Sequence, residues 1–322
     1  MLSRVADSLY WMSRYLERAE HTARLLGVGL TQTLGQNAAA AKPRWARILT
    51  ALHSASLTSL EADTYAITEA LTFDPENSNA LVSCVTHARE NAHQVREQIS
   101  SEMWEQVNRL YLRMRTTSAE QIWQEEPIDF FHSVKEGAHL FQGITDATMS
   151  HDEGWYFIQV GRYIERTDAT AMLLDTHFRP YLATLPDEPP ALEFNDWVAL
   201  LKCCTAFESY CKVYTADVQP TRVAEFLLLD AHSPRSVRFA ADHIQRGLQA
   251  IARSTGSRAA GRAERLAGRL RAALDYGQVD EILADDMHGS LSAIRRSCDG
   301  IHAAIYQTYV AYPVETVFSQ QF

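Results

Sequence analysis

Leu9-Tyr10-Trp11-Met12-Ser13-Arg14-Tyr15-Leu16-Glu17-Arg18-Ala19-Glu20 returns 148 residues later as Phe157-Ile158-Gln159-Val160-Gly161-Arg162-Tyr163-Ile164-Glu165-Arg166-Thr167-Asp168. Arg14, Tyr15, Glu17 and Arg18 recur as Arg162, Tyr163, Glu165 and Arg166, and the acidic Glu20 recurs as Asp168. Ala23 and Leu26 recur as Ala171 and Leu174, so the match extends beyond the motif. At about 100° per residue, Val5, Leu9, Met12, Tyr15, Leu16, Ala19, Ala23, Leu26 and Leu30 share one arc. Asp7, Arg14, Glu17, Arg18, His21 and Arg24 cluster on the opposite side. That pattern predicts an amphipathic helix over 2–36, with Gly27, Gly29 and Gly35 weakening its far end.

The second copy differs. Ile158, Ala169, Met172 and Leu173 invade its polar side. A helix that is apolar nearly all round is buried, and buried charge is costly unless paired. The expectation is that Arg162, Glu165 and Arg166 are enclosed. First-copy residues would be among their partners, in a cross-helix network about a local pseudo-twofold.

Outward from these two stretches, the pattern stays helical. Helices are expected over 45–54, 57–70, 80–115 with a bend near 88–91, 127–149, 153–178, 194–213, 221–229, 234–252, 258–274 and 279–309. Ser150 and Glu153 have capping-box spacing, and Ser233-Pro234 reads as a cap followed by a first-turn proline. No stretch alternates as a strand, and no strand–helix–strand unit is visible, which argues against a Rossmann or P-loop fold. The fold class is all-α: a multi-helix bundle in a single domain, 1–322. Pro180, Pro186, Pro189 and Pro190 mark 180–192 as a long connection or a sub-domain boundary.

Composition narrows the function. The chain has 322 residues, 46% of them hydrophobic, and a formal net charge of −10. Phosphate backbones demand concentrated positive charge, so nucleic acid is not an expected partner. Nine arginines between Arg235 and Arg271 run against the acidic balance, while the whole chain holds four lysines. Arg258, Arg262, Arg265 and Arg269 form one helical stripe, read as a solvated face or a surface for an acidic partner. The five cysteines show no CxxC spacing, the N-terminus lacks an apolar leader core, and no run of 18 apolar residues occurs. Together these give the expectation of a cytoplasmic protein with no membrane span. Cys204 and Cys211, seven apart, are expected to face the core.

Three roles suit the repeated Glu-Arg pairs. They could be a buried ion-pair network that fixes how two helices meet. They could hold an anion or polar ligand between the helices, since the arginine fork grips carboxylate or phosphate bidentately. Or Glu17 or Glu165 could act in acid–base catalysis. A metal reading also has a pattern: Glu17, Glu20 and His21 at i, i+3 and i+4, with Glu90-Asn91-Ala92-His93 as a Glu-x-x-His. Arginines crowd those carboxylates, so neither metal nor cofactor is expected. The candidate ligand-binding set is Arg14, Tyr15, Glu17, Arg18 and His21, with Arg89, Glu90 and His93, and with Arg162, Tyr163, Glu165 and Arg166. No catalytic residue is assigned.

The stretch from Met1 to Glu20 resembles the opening of the bacterial Alpha-E family. Ala88-Arg89-Glu90-Asn91-Ala92 with Ser101-Glu102-Met103-Trp104-Glu105-Gln106-Val107-Asn108 is similar to its second block. Gly161 to Asp168 resembles the third, and Leu228-Leu229-Asp230 with Pro234-Arg235-Ser236-Val237 resembles the fourth. The resemblance covers essentially the whole chain. It departs from the family pattern at His93, where an arginine is common, and at Thr167, where an alanine is. The resemblance implies a setting rather than a reaction. Such proteins accompany circularly permuted ATP-grasp ligases, transglutaminase-like proteases and amidohydrolase-like proteins, and some are fused to the ligase. The implied role is a helical accessory or ligand- or partner-binding subunit of an amide or peptide ligase system, its ligand a small anion or peptide. The alternatives are a stand-alone enzyme acting on a small peptide or amide through the Arg-Glu network, and a ferritin-like metal-dependent protein.

Overall fold

A computed structural model describes residues 1, 3–60, 63–124, 126–185, 187, 191–255 and 261–311. Among them are fifteen α-helices and no strand. Two 31-residue helices organise the rest: α1 (Ser3–Thr33) and α8 (Glu153–Ala183). They pack on each other, and each carries one copy of the Glu-Arg stretch. α4 (Leu81–Gln94) and α7 (Pro127–Thr148) cover other faces of α1. α12 (Val237–Ser254) and α15 (Met287–Ile305) flank α8. No helix among the described residues is long and apolar enough to cross a membrane.

The α1–α8 crossing is set by two small residues. A Cβ at Gly161 would overlap the Ser13 hydroxyl and the Tyr10 carbonyl oxygen. Ser13 turns its Oγ back onto that carbonyl at 2.8 Å. Glycine here lets two backbones meet closely. Around the crossing, Leu9, Met12, Leu16, Phe157, Val160 and Ile164 are buried, each such side chain contributing about 1.5–3 kcal/mol.

Several helix boundaries differ from the sequence reading, each for a local reason. α1 does not weaken at Gly29. The missing Cβ admits the Trp45 ring, 3.2 Å from where a Cβ would stand, and so seats α2 (Ala38–Ala51). α2 starts before Pro43 because Asn37 caps it, accepting from the Ala40 amide at 2.9 Å. The predicted 80–115 helix is two, α4 and α5 (Ser101–Thr116); the chain turns at 95–100, where Ser100 caps α5 at 3.2 Å. α3 (Thr64–Phe73) and the short α6 (Ala119–Gln124) complete this half.

Asp152, accepting from the Gly154 amide at 3.0 Å, starts α8 in place of the Ser150–Glu153 box. α8 then runs past Phe178 and through Pro180. The packing of Tyr181 edge-on to Phe178 and Trp197, themselves tilted on each other, offsets the lost hydrogen bond. Pro186, Pro189 and Pro190 lie outside the described residues. The expected 194–213 helix divides at Thr205, whose φ is 50°, into α9 (Phe194–Cys203) and α10 (Phe207–Tyr214). α11 (Pro220–Leu229) matches the reading. Ser236, not Ser233, caps α12 at 3.0 Å from the Phe239 amide. Arg258 lies outside the described residues, and α13 spans Arg262–Tyr276. The last expected helix divides into α14 (Val279–Ala284) and α15, with Asp286 capping the second at 2.8 Å from the Gly289 amide.

Candidate functional site

α1 and α8 exchange guanidinium–carboxylate contacts across their crossing. Arg166 grips Glu17 with two hydrogen bonds, Nε to Oε1 at 2.7 Å and Nη2 to Oε2 at 2.9 Å. In the opposite sense, Arg18 Nε donates to Glu165 Oε1 at 2.6 Å and Arg14 Nε to Oε2 at 2.8 Å. Glu17 is only 1% exposed. Glu165 is the more open of the two, with a side chain 12% exposed and Arg18 beside it at 24%. Of the second-copy residues expected to be enclosed, Arg166 is buried, whereas Glu165 and Arg162 are only partly buried. The polar side of α1 is itself covered, so Glu17, Glu20, His21 and Arg24 are all buried.

The covering element is the turn before α12. Arg235 reaches in and spans two carboxylates, Nη1 to Glu17 Oε1 at 2.8 Å and Nη2 to Glu20 Oε2 at 2.7 Å. It occupies the place that Arg162 would take if both halves were alike. Arg162 instead donates to Gln159 Oε1 and, at 3.3 Å, to the Tyr163 hydroxyl. Glu20 also pairs with Arg24, and His139 Nε2 stands 3.3 Å from it. Gln142 Nε2 adds a 3.3 Å contact to Glu17. At the other end, Asp168 accepts from Arg295 at 2.8 Å and faces His53 at 3.5 Å.

Electrostatics follow from burial and neighbours. Burial alone pushes the Glu17 carboxyl up, but Arg166 and Arg235 overrule it and hold the group well below the usual carboxylate range. Glu165 is likewise lowered by Arg14 and Arg18 against the opposing effect of burial. Six guanidinium groups, of Arg14, Arg18, Arg24, Arg166, Arg235 and Arg295, meet four carboxylates in these ion pairs. That excess of positive charge suppresses further protonation. Burial, then Arg235, brings His21 down to about 4. Burial, then Arg235, also lowers Arg24 to about 10. Among the described residues His21 Nε2 has no hydrogen-bond partner, which fits a neutral ring.

The sequence-chosen residues therefore divide. Arg14, Glu17, Arg18, Glu165 and Arg166 come together, with His21 buried beside them. Tyr163 lies under both Arg162 and Arg166, whose guanidinium carbons stand 4.8 and 5.2 Å from its ring centre. Tyr15 packs at a tilt against His87, with Arg18 over its face. Arg89, Glu90 and His93 stand apart on α4. Arg89 bonds Asn108 at 2.8 Å and lies over Tyr111, Glu90 is exposed, and His93 lies against Trp104.

Among the described residues, no three His, Cys, Asp or Glu side chains converge so as to hold a metal ion. The Glu17 and Glu165 oxygens face guanidinium groups, which repel a cation. Nor is a thiolate favoured: burial pushes the Cys84 and Cys204 thiols up to about 12. Cys204 is buried and Cys211 only half-buried.

Arg235, Glu20 and Arg24 are network members that the candidate ligand-binding set did not include. Arg24 lies on the same polar arc as Glu17. Arg235 carried a signal too, since it follows the Ser233-Pro234 turn, but no periodicity ties that turn to α1.

A family profile described as "a predicted alpha-helical domain with a conserved ER motif" matches residues 1–310. The chain belongs to the Alpha-E family. It carries the Glu-Arg dipeptide in the network at Glu17-Arg18 and Glu165-Arg166. Uncharacterized proteins of Mycobacterium bovis and of two Mycobacterium tuberculosis strains are each 26% identical to this Alpha-E chain over 326 residues. The alignments cover 94% of this chain and 35% of theirs, so it spans about a third of the length of these curated relatives. No solved structure matches it.

Proposed function

We propose that this Alpha-E chain is a helical accessory subunit of an ATP-grasp amide or peptide ligase system, with bond formation carried out by its partner. One observation carries the reading: both motif carboxylates, Glu17 and Glu165, are occupied by guanidinium groups on each oxygen. Their protons are lost far below neutral pH, which suits a fixed strut better than an acid–base group. The motif then builds the fold, and the fold presents surfaces. The curated relatives support a modular role, because the matching segment is only part of their length. The ligase as partner follows from the company that Alpha-E proteins keep.

α1 and α8 are, in this reading, two copies of one Glu-Arg helix within a single domain. Arg18 to Glu165 and Arg166 to Glu17 are the same contact in reverse, 148 positions apart. Ser13 and Gly161, also 148 apart, meet at the crossing. The test is co-purification of the full chain with an ATP-grasp ligase from the same genome, and ligase turnover with and without the Alpha-E chain. A stable complex and a dependent rate are expected. Two proteins that elute apart, with turnover unchanged, would overturn the proposal.

A further inference from the structure

Beyond the network, α1 borders a cleft of about 440 Å³, within the usual range for small-molecule sites. Three helices each turn one stripe toward it. α9 presents Asn195, Val198, Ala199 and Lys202, at i, i+3, i+4 and i+7; α1 presents Val28, Thr31 and Gln32; α7 presents Ile128 and Lys135, two turns apart. Arg44 of α2 closes one side. The lining has an apolar part in Val28, Ile128, Val198 and Ala199, and amide and hydroxyl groups beside it.

Its charge is one-sided. The chain is strongly acidic, yet among the described residues no Asp or Glu lines this cleft, and two of the four lysines do. Arg44 is held by Asp196 at 3.3 Å. Among the described residues, neither Lys135 nor Lys202 has a carboxylate within ion-pair distance; Lys202 lies only over the Phe207 ring, at 5.8 Å. Burial and the nearby Arg24 guanidinium press the Lys135 ammonium down from its ordinary value. An anion entering here relieves that repulsion and finds two ammonium groups that no described carboxylate pairs.

We infer that this cleft binds a small organic acid with an apolar body, its carboxylate drawn by Lys135 and Lys202 and its body seated against Val28, Ile128, Val198 and Ala199. An N-acylated apolar amino acid has this chemistry. The site is distinct from the Glu-Arg network and stands whether or not a ligase partner exists.

Isothermal titration of the full chain with N-acetyl-leucine, N-acetyl-leucine amide and inorganic phosphate tests it. The acid is expected to bind at least about tenfold more tightly than the amide, the size of one lost charged hydrogen bond. It should also exceed phosphate, which lacks the apolar body. Lys135→Gln and Lys202→Gln should each weaken the acid by about tenfold and leave the thermal transition in place. Lys202 is exposed, so its variant remains readable should Lys135→Gln disturb folding. Val198→Glu should abolish acid binding. Absence of acid binding, equal affinity for acid and amide, phosphate binding as tightly as the acid, or lysine variants that bind like the parent would each overturn the inference.

Discussion

Replacing Glu17 by Gln isolates the energetic centre of the helix crossing. The carboxylate accepts two hydrogen bonds from Arg166, one from Arg235 and one from Gln142. Glutamine keeps one acceptor oxygen and turns an N–H₂ toward a guanidinium. Arg235 retains Glu20, but Arg166 exchanges its carboxylate for a neutral amide oxygen and keeps its 3.1 Å contact to the Pro234 carbonyl. One buried cation is thus stranded, a loss of about 3–5 kcal/mol, equivalent to a fall in Tm of roughly 5–10 °C for a chain of this size. Glu165→Gln should cost less, roughly 1–2 kcal/mol, because Arg14 and Arg18 are 13% and 24% exposed and water can replace the lost partner. Urea denaturation of both variants, followed by circular dichroism, measures the pair. A Glu17→Gln loss below about 1 kcal/mol, or a larger loss for Glu165→Gln, would refute the view that Glu17 holds otherwise unpaired buried charge.

Gly161→Ala should destabilise by about 1–3 kcal/mol despite alanine's better helix propensity, because the new methyl meets, besides the Ser13 hydroxyl, the Tyr10 backbone carbonyl, which cannot swing aside. A variant that melts at or above the wild-type temperature would mean the helices do not meet there. Acid should weaken the fold in stages. His21 and His177 are buried and stay neutral to about pH 4, whereas unfolded imidazoles take up protons near 6.5. The unfolded state therefore binds more protons in that window, and stability falls as pH drops from about 6.5 to about 4. Below about 4.5 the lowered carboxyls of Glu17 and Glu165 add to the loss, since unfolded carboxylates are then protonated first. NMR titration of the imidazoles checks the first stage; a normal midpoint for His21 would contradict it.

The helical class, the two long helices and the Glu-Arg stretches were readable from the residues because apolar spacing and the repeated motif are local signals. Helix breaks at 95–100 and at Thr205 were not. Each depends on a single cap or a single left-handed residue inside a run that otherwise continues the pattern. The full burial of the polar side of α1 was not legible for a different reason. Its charges look solvent-facing on a helical wheel, and only the distant Arg235 and the packing of α7 reveal that they are enclosed. The cleft residues on α1, α7 and α9 had no sequence signal, since each stripe alone is unremarkable.

The surplus of guanidinium over carboxylate within the helix crossing has an effect outside it. Positive charge set there lies away from the acidic side chains that face water, so the negative part of the formal −10 is weighted toward the exterior. Solutes approaching from a distance meet that outer charge first. Such a coat keeps copies of the chain apart in a crowded solution and gives an approaching protein with a basic face a faster, salt-sensitive encounter.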